Sequence, residues 1–284
     1  MLGIGLVLIA VCGSAQAAAP ELQPFRFAPE QDYGPFVYAE ADGSVHGLSV
    51  EFLDLIGRKT GLRYLTLPPR PLSRILADVQ AGQVDLVTSL RPTPERARYL
   101  GFTRPYVAVP AVLVTRAAAA RIDPARAAGV RIAVGAGYAV EAHVRQRFPA
   151  VQWVALPDDA AALQALQRGE VAAVVADAAS IAFLRRRLPL DELHLQGGLA
   201  FEYSLSMAYR KELGALGEQL ELGLSRITPA ERQAILERWI DPVAPSIDDA
   251  RLLWAQRIGA ILLIVGGLLV LVARATRSPG SRDD

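Results

Sequence analysis

Arg96 is the residue whose surroundings most directly suggest chemistry. It follows Thr93, a residue type that caps helix N-termini, and Pro94, whose fixed φ suits the first helical position. That spacing predicts Arg96 in the first turn of a helix, where free N–H groups and the helix dipole favour an anion. A guanidinium there can take a carboxylate through two parallel hydrogen bonds. The plainer reading is a surface arginine on an amphipathic helix. Asp177 closes the apolar run Val171 to Ala176. A carboxylate at the end of a parallel strand faces the crevice where open α/β sheets bind ligands. The same side chain can also cap a helix beginning at Ala178. Thr88 and Ser89 end another short apolar run and offer hydroxyl or backbone contacts. Tyr33 presents a ring suited to an aliphatic stem or a cationic head, or a core aromatic beside Pro35.

Other chemistries find less support. His46, His143 and His194 stand far apart, and Cys12 is the single cysteine, so neither a metal-ligand spacing nor a disulfide framework is present. Gly135-Ala136-Gly137 begins like a dinucleotide fingerprint, but Val140 occupies the third glycine position. The backbone N–H groups of that loop remain available to a ligand. No Ser-His-Asp order or paired-carboxylate spacing marks a catalytic centre. With 30 Lys and Arg against 29 Asp and Glu, the net charge of +1 offers no basic face for nucleic acid. No cofactor is expected.

The elements that must hold these residues alternate. Leu48 to Thr60 carries Phe52, Leu55 and Ile56 at helical spacing and ends at Gly61. Leu72 to Ala81 reads as a helix stopped by Gly82, followed by a strand over Val84 to Thr88. Pro35 to Tyr38 runs into the turn signal Ala41-Asp42-Gly43-Ser44. Val112 to Thr115 and Arg131 to Val134 are predicted strands; Ala139 to Arg147 and Ala160 to Arg168 are predicted helices. Val171 to Ala176 is a further predicted strand. This alternation predicts an α/β fold with mostly parallel sheets. Gln80-Ala81-Gly82-Gln83-Val84-Asp85-Leu86-Val87 is echoed by Gln167-Arg168-Gly169-Glu170-Val171-Ala172-Ala173-Val174, which suggests two similar lobes.

The two ends set an expected topology. Residues 1–17 are an apolar run closing on Ala15-Gln16-Ala17, the pattern of a secretory signal peptide, although no Lys or Arg precedes the run. Ile258 to Ala273 is an unbroken run of apolar residues and glycines. A transmembrane helix is expected over 252–273, with Arg257 snorkelling, Trp254 at the interface, and Arg274 and Arg277 on the cytoplasmic side. The expected order is then signal peptide 1–17, exported region, juxtamembrane linker 241–251, span 252–273 and cytoplasmic tail 274–284. That places the exported region in the periplasm of a two-membrane bacterium, tethered to the inner membrane.

From Phe25 to Ile240 the succession of motifs resembles the bacterial extracellular solute-binding proteins of family 3. The marks are Tyr33-Gly34-Pro35-Phe36, Asp42-Gly43, Gly47-Leu48-Ser49-Val50-Glu51-Phe52, Gly82-Gln83-Val84-Asp85-Leu86, Thr93-Pro94-Glu95-Arg96 and Phe102-Thr103-Arg104-Pro105-Tyr106. Gly137-Tyr138-Ala139-Val140-Glu141 and Ile227-Thr228-Pro229-Ala230-Glu231-Arg232 before Arg238-Trp239 are similar to the flytrap input modules of hybrid sensor kinases. The resemblance implies a two-lobed type 2 periplasmic-binding-protein fold with two crossover strands. Lobe one is expected over 21–115 and 198–240, and lobe two over 116–197. Ligand is expected between them, favouring the closed state.

The resemblance also implies roles. Arg96 clamps the ligand carboxylate, Asp177 receives an ammonium and Tyr33 lies against the ligand, so the pair of charges matches an α-amino acid. Leu72 stands where many amino-acid binders carry a second aromatic. Arg91 stands where a small hydroxyl residue is common, and brings a second positive charge to the cleft or points to solvent. Tyr138 and Ala139 replace a Ser/Thr pair after Gly137, and Ser49 replaces an acid. The implied function is a membrane-anchored sensory module binding an amino acid or related carboxylate, partnered with a sensor kinase or a permease. Residues 274–284 are too short for an output domain, which favours the alternative of an importer's binding component. A dehydratase-like enzyme on the same fold is the third reading.

Overall fold

The computed structural model describes residues 24–116, 121–190, 193–197 and 199–240. Among them no helix is long and apolar enough to cross a membrane; the expected signal peptide and membrane span lie outside the described residues.

The chain opens with β1 (Phe25–Phe27) and a small sheet of β2 (Asp32–Tyr33), β3 (Val37–Ala39) and β4 (Val45–His46). Helix α1 (Leu48–Thr60), β5 (Tyr64–Thr66), α2 (Leu72–Gln80), β6 (Leu86–Leu90) and β7 (Leu100–Phe102) follow. The long strand β8 (Val107–Arg116) leads to β9 (Arg131–Gly135), α3 (Ala139–Arg147), β10 (Gln152–Leu156) and α4 (Asp159–Gln167). After β11 (Ala173–Asp177), α5 (Ala178–Arg187) and β12 (Leu193–Gln196), strand β13 (Glu202–Arg210) runs back to α6 (Gly214–Arg226) and α7 (Pro229–Trp239).

Two α/β lobes result. In the first, β1 lies parallel to β5 and β6, and Phe27, Phe52, Ile56, Ile75, Leu86 and Leu216 are buried around it. In the second, β9 lies parallel to β10 and β11, over a core that includes Ala133, Leu163, Leu166, Val174 and Ile181. The echo noted in the sequence is structural. Gly82 between α2 and β6, and Gly169 between α4 and β11, adopt nearly the same left-handed φ, 71° and 73°. Only glycine takes that conformation without steric cost, so each helix stops and turns its chain into a buried strand.

Strands β8 and β13 belong to both lobes. The first half of β8 pairs antiparallel with β13 (Val107 with Leu205, Pro110 with Glu202), and the second half pairs with β11 and β12. The second half of β13 pairs with β6 and β7. The expected division between residues 115 and 116 thus falls at the end of a strand already paired into the second lobe. Strand β6 begins two residues later than the sequence predicts, because Asp85 is held in a loop by Arg26 and Arg210. Burial pushes the Asp85 carboxyl up, but these bonds bring it below its ordinary value.

A second set of contacts joins the lobes outside the strands. Phe183 of α5 lies over Gly34 and against Tyr38, with ring centroids 4.9 Å apart. Arg187 pairs with Glu40 at 2.7 Å and covers the Tyr38 ring at 4.7 Å. Tyr38 in turn meets Trp239, at the end of α7, edge-on at 6.2 Å. Trp239 donates its indole N–H to Glu51 of α1 at 2.9 Å. A Cβ at residue 34 would stand 2.1 Å from the Phe183 ring. Gly34→Ala should therefore displace Phe183 and lower stability by about 1–3 kcal/mol. Small-angle scattering should show a larger radius of gyration; an unchanged radius and melting temperature would mean the ring yields without separating the lobes.

Candidate functional site

The facing edges of the lobes enclose a nearly closed cavity of about 20 Å³, room for about one water molecule and far below the volumes that small-molecule sites occupy, so a ligand requires the lobes to part. Glu30, Tyr33, Leu72, Ser89, Arg91 and Arg96 line it from the first lobe, Tyr138 and Ala139 from the second, and Tyr203 from the crossover strand. The carboxyl ends of β1 and β6 point at it, as open α/β sheets require of a ligand site.

Arg96 is only 5% exposed. Thr93 does act as a cap, its hydroxyl accepting from the Arg96 N–H at 3.2 Å, but the segment is a three-residue 3₁₀ turn rather than the predicted α-helix. No helix dipole therefore builds up behind the guanidinium. What fixes it is a pair of backbone carbonyls: Arg91 O at 2.8 Å and, across the cleft, Gly137 O at 2.7 Å. Burial pulls the Arg96 pKa down, while Tyr99, Glu30 and Tyr33 oppose that shift. Two carbonyls satisfy N–H groups without neutralising the charge, and a guanidinium has five to satisfy.

Tyr138 donates to Glu30 at 2.7 Å, a second bond across the cleft. Burial pushes the Glu30 carboxyl from 4.5 to about 7, against the Tyr138 hydrogen bond and the Arg96 charge, which favour ionisation. Asp177 is fully buried and does not line the cavity. It caps α5, accepting from the Ser180 N–H and hydroxyl, both at 2.7 Å, and the Tyr33 hydroxyl bonds it from the first lobe. Burial carries its carboxyl up to about 6, although those bonds favour the charge. The sequence offered a cap and a ligand contact for Asp177; the cap is what its oxygens make.

The remaining sequence-predicted residues fall at varied distances from the cavity. Tyr33 lines it and packs against Phe36 and Tyr138, with centroids 4.9 and 5.4 Å away. Leu72 lines it where a second aromatic would complete a sandwich. Ser89 lines it with φ 58°, held by the Tyr106 hydroxyl on its N–H at 3.0 Å and by Ser49 Oγ at 2.7 Å. Ser49 is thus part of a buried hydroxyl network. Thr88 is buried behind the wall, its hydroxyl without a hydrogen-bond partner. Gly137 contributes its carbonyl. Arg91 lines the rim, lying 4.0 Å over the Phe201 ring and donating to Glu202 O at 2.6 Å. Glu30 and Tyr203 were missed in the sequence. Glu30 had a usable signal, its place just beyond the first strand; Tyr203 had none, because the strand that carries it was not legible.

This cleft, closed from both sides by side chains of a two-lobed α/β fold, can be set beside known proteins. Residues 25–242 match the bacterial extracellular solute-binding proteins, family 3. The chain belongs to that family. It is 26% identical over 239 residues to the virulence sensor protein BvgS of Bordetella pertussis, across 84% of this chain and 19% of that protein. The chain therefore spans about a fifth of the length of this relative. It is 25% identical over 214 residues to the L-cystine-binding protein TcyJ of Escherichia coli K12, across 74% of this chain and 80% of that one. An ancestral arginine-binding protein bound to arginine shares the fold, with a TM-score of 0.69 at 23% identity over 77% of this chain and 98% of that one. The family is one of binding and sensing proteins, so this chain is a solute-binding domain.

The buried carboxyl at Glu30 has a measurable consequence. Its folded pKa of about 7 lies above the ordinary 4.5, so between those values the folded state holds a proton that the unfolded chain has lost. That proton's contribution is fully present below about pH 4.5 and is lost as pH rises through about 7, a change of order 3 kcal/mol. Asp177 acts in the same direction. In denaturant titrations of ligand-free protein, Glu30→Gln should match wild type near pH 4.5 and exceed it above pH 7. Parallel pH profiles would show that Glu30 ionises normally.

Proposed function

We propose that this chain is the periplasmic sensing domain of a membrane-tethered receptor that closes on an amino acid or a related small carboxylate. The observation that carries it is the buried Arg96 guanidinium, which reaches from one lobe to the Gly137 carbonyl of the other. A ligand carboxylate arriving there exchanges a neutral acceptor for a charged, bidentate one, and contacts both lobes at once. Ligand binding thereby favours the closed arrangement by its differential affinity. Glu30, on the same wall, supplies the acceptor that an α-ammonium needs.

Tethering follows the sequence pattern of the two ends, and the sensing role follows the similarity to BvgS, a sensor protein. A sensor kinase is then the partner. The length shared with TcyJ, a binding protein most of which this chain covers, supports an importer's receptor as the second reading, with a permease as partner.

A panel of amino acids and dicarboxylates should raise the melting temperature of the full-length chain in detergent, by mass action. The shift should reach several degrees for the cognate ligand and vanish in Arg96→Ala, whose far-ultraviolet circular dichroism should stay native. No shift across the panel, or a shift that survives Arg96→Ala, would refute the carboxylate clamp.

A further inference from the structure

A groove of about 550 Å³ lies between the start of crossover strand β8 and one face of α7, and shares no lining residue with the cleft. Strand β8 has a free edge here. Over Val107–Pro110 it pairs with β13 alone, and β11 joins its other side only from Ala111 onward. Antiparallel pairs alternate between bonded and non-bonded positions. Ala111 donates its N–H to Phe201 O at 3.0 Å, so Ala108, three residues earlier, falls on a non-bonded position and turns its N–H and C=O away from β13. Ala108 is exposed and lines the groove. An unpaired strand edge is a template for another extended chain.

The opposite wall is a stripe of α7. Leu236 and Ile240 stand there half-buried, one turn apart, with Arg232 one turn earlier. Arg232 donates to Tyr106 O at 2.6 Å and lies 5.3 Å over the Phe52 ring. Burial and the neighbouring Arg104 pull its pKa down, and no acid among the described residues offsets them. Arg104 has its own acid, Glu221, at 3.6 Å.

Helix α7 ends inside this groove. Ile240 has left helical geometry, with φ −109° and ψ 105°, and so directs the chain onward in extended form. Asp241-Pro242-Val243-Ala244-Pro245-Ser246-Ile247-Asp248-Asp249 comes next and lies outside the described residues. Its sequence matches the groove in three ways. Asp241 and Ala244 precede prolines, which biases both towards extended backbone. Val243, Pro245 and Ile247 share one face of an extended run, with Ala244 and Ser246 on the other. From Ile240 back to Arg232 the wall measures about 12 Å of helix, and Val243 to Ile247 spans about 13 Å when extended.

We propose that residues 241–249 turn at Asp241-Pro242 and dock along this groove as an extended strap. Val243, Pro245 and Ile247 would cover Leu236 and Ile240, the strap's main chain would bond Ala108, and Asp248 or Asp249 would reach Arg232. The strap would then lie on a strand that must twist when the lobes part. This docking depends neither on the ligand of the cleft nor on a membrane tether.

Hydrogen–deuterium exchange of the full-length chain in detergent, resolved to single residues, tests it. The amides of Ala108 and of residues 243–249 should exchange tenfold or more slower than in an unstructured peptide. Val243→Asp combined with Ile247→Asp, both outside the described fold, should return both stretches towards the free rate. Ala108→Pro removes the outward N–H without touching the bonds to β13, and should release 243–249 in the same way. The double substitution keeps the test open should Ala108→Pro misfold. Fast exchange over 243–249 in wild type, or slow exchange there that survives both sets of substitutions, would overturn the strap. Protection of Ala108 that the double substitution leaves untouched would overturn it as well, and loss of that protection on tenfold dilution would assign the groove to a second copy of the chain.

Discussion

A buried guanidinium held between two lobes is the constraint around which the cleft is organised. Taking a charge out of water is costly unless its hydrogen bonds are met, and two of the Arg96 nitrogens are met by carbonyls, one from each side of the cleft. For this to happen the chain must turn sharply after β6, Thr93 must tie that turn, and the loop after β9 must present the Gly137 carbonyl. The same closure brings Tyr138 to Glu30 and Tyr33 to Asp177. Each of these polar groups would be unsatisfied or solvated if the lobes parted. The closed arrangement is therefore supported by the protein's own bonds.

The connection between the lobes has the form of a hinge. Two strands, β8 and β13, carry the chain across, pairing with each other at the crossing and with different lobes on either side. A small change of twist in two paired strands can separate the facing edges while leaving both cores intact, as in other hinged binding domains. The contacts of Phe183 and Arg187 with Tyr38 work against that opening from outside the cleft. Tyr38 also touches Trp239, where the described chain ends after α7.

The hydroxyls explain departures from the family pattern. Ser49, where an acid was expected, bonds Ser89 and Tyr106 in a buried network that holds Ser89 in a left-handed backbone conformation. An acid there would bring an unpaired charge into a core position. Arg91, where a small hydroxyl residue is common, avoids the cavity centre by lying on Phe201. Its positive charge then sits at the rim, which leaves Glu30 and Arg96 as the charged groups of the buried wall.

Local periodicity and turn chemistry determined much of the fold from sequence alone. Helices α1 and α3 lie where apolar spacing and stop residues put them, and Gly82 and Gly169 betrayed the repeated helix–turn–strand unit. The succession of motifs from Tyr33 to Arg96 pointed to the family, which the match over 25–242 bears out. Strand β13 and the small sheet near β3 were less legible, because their pairing partners are distant and short strands carry weak periodicity. Arg96 could be named in advance because its flanking residues fix a turn. Glu30 and Tyr203 could not, since a carboxyl or hydroxyl acquires its energetic character only when burial removes water and tertiary neighbours either satisfy it or do not. Sequence sets which groups are present; the closing of one lobe on the other decides which of them are left wanting a partner.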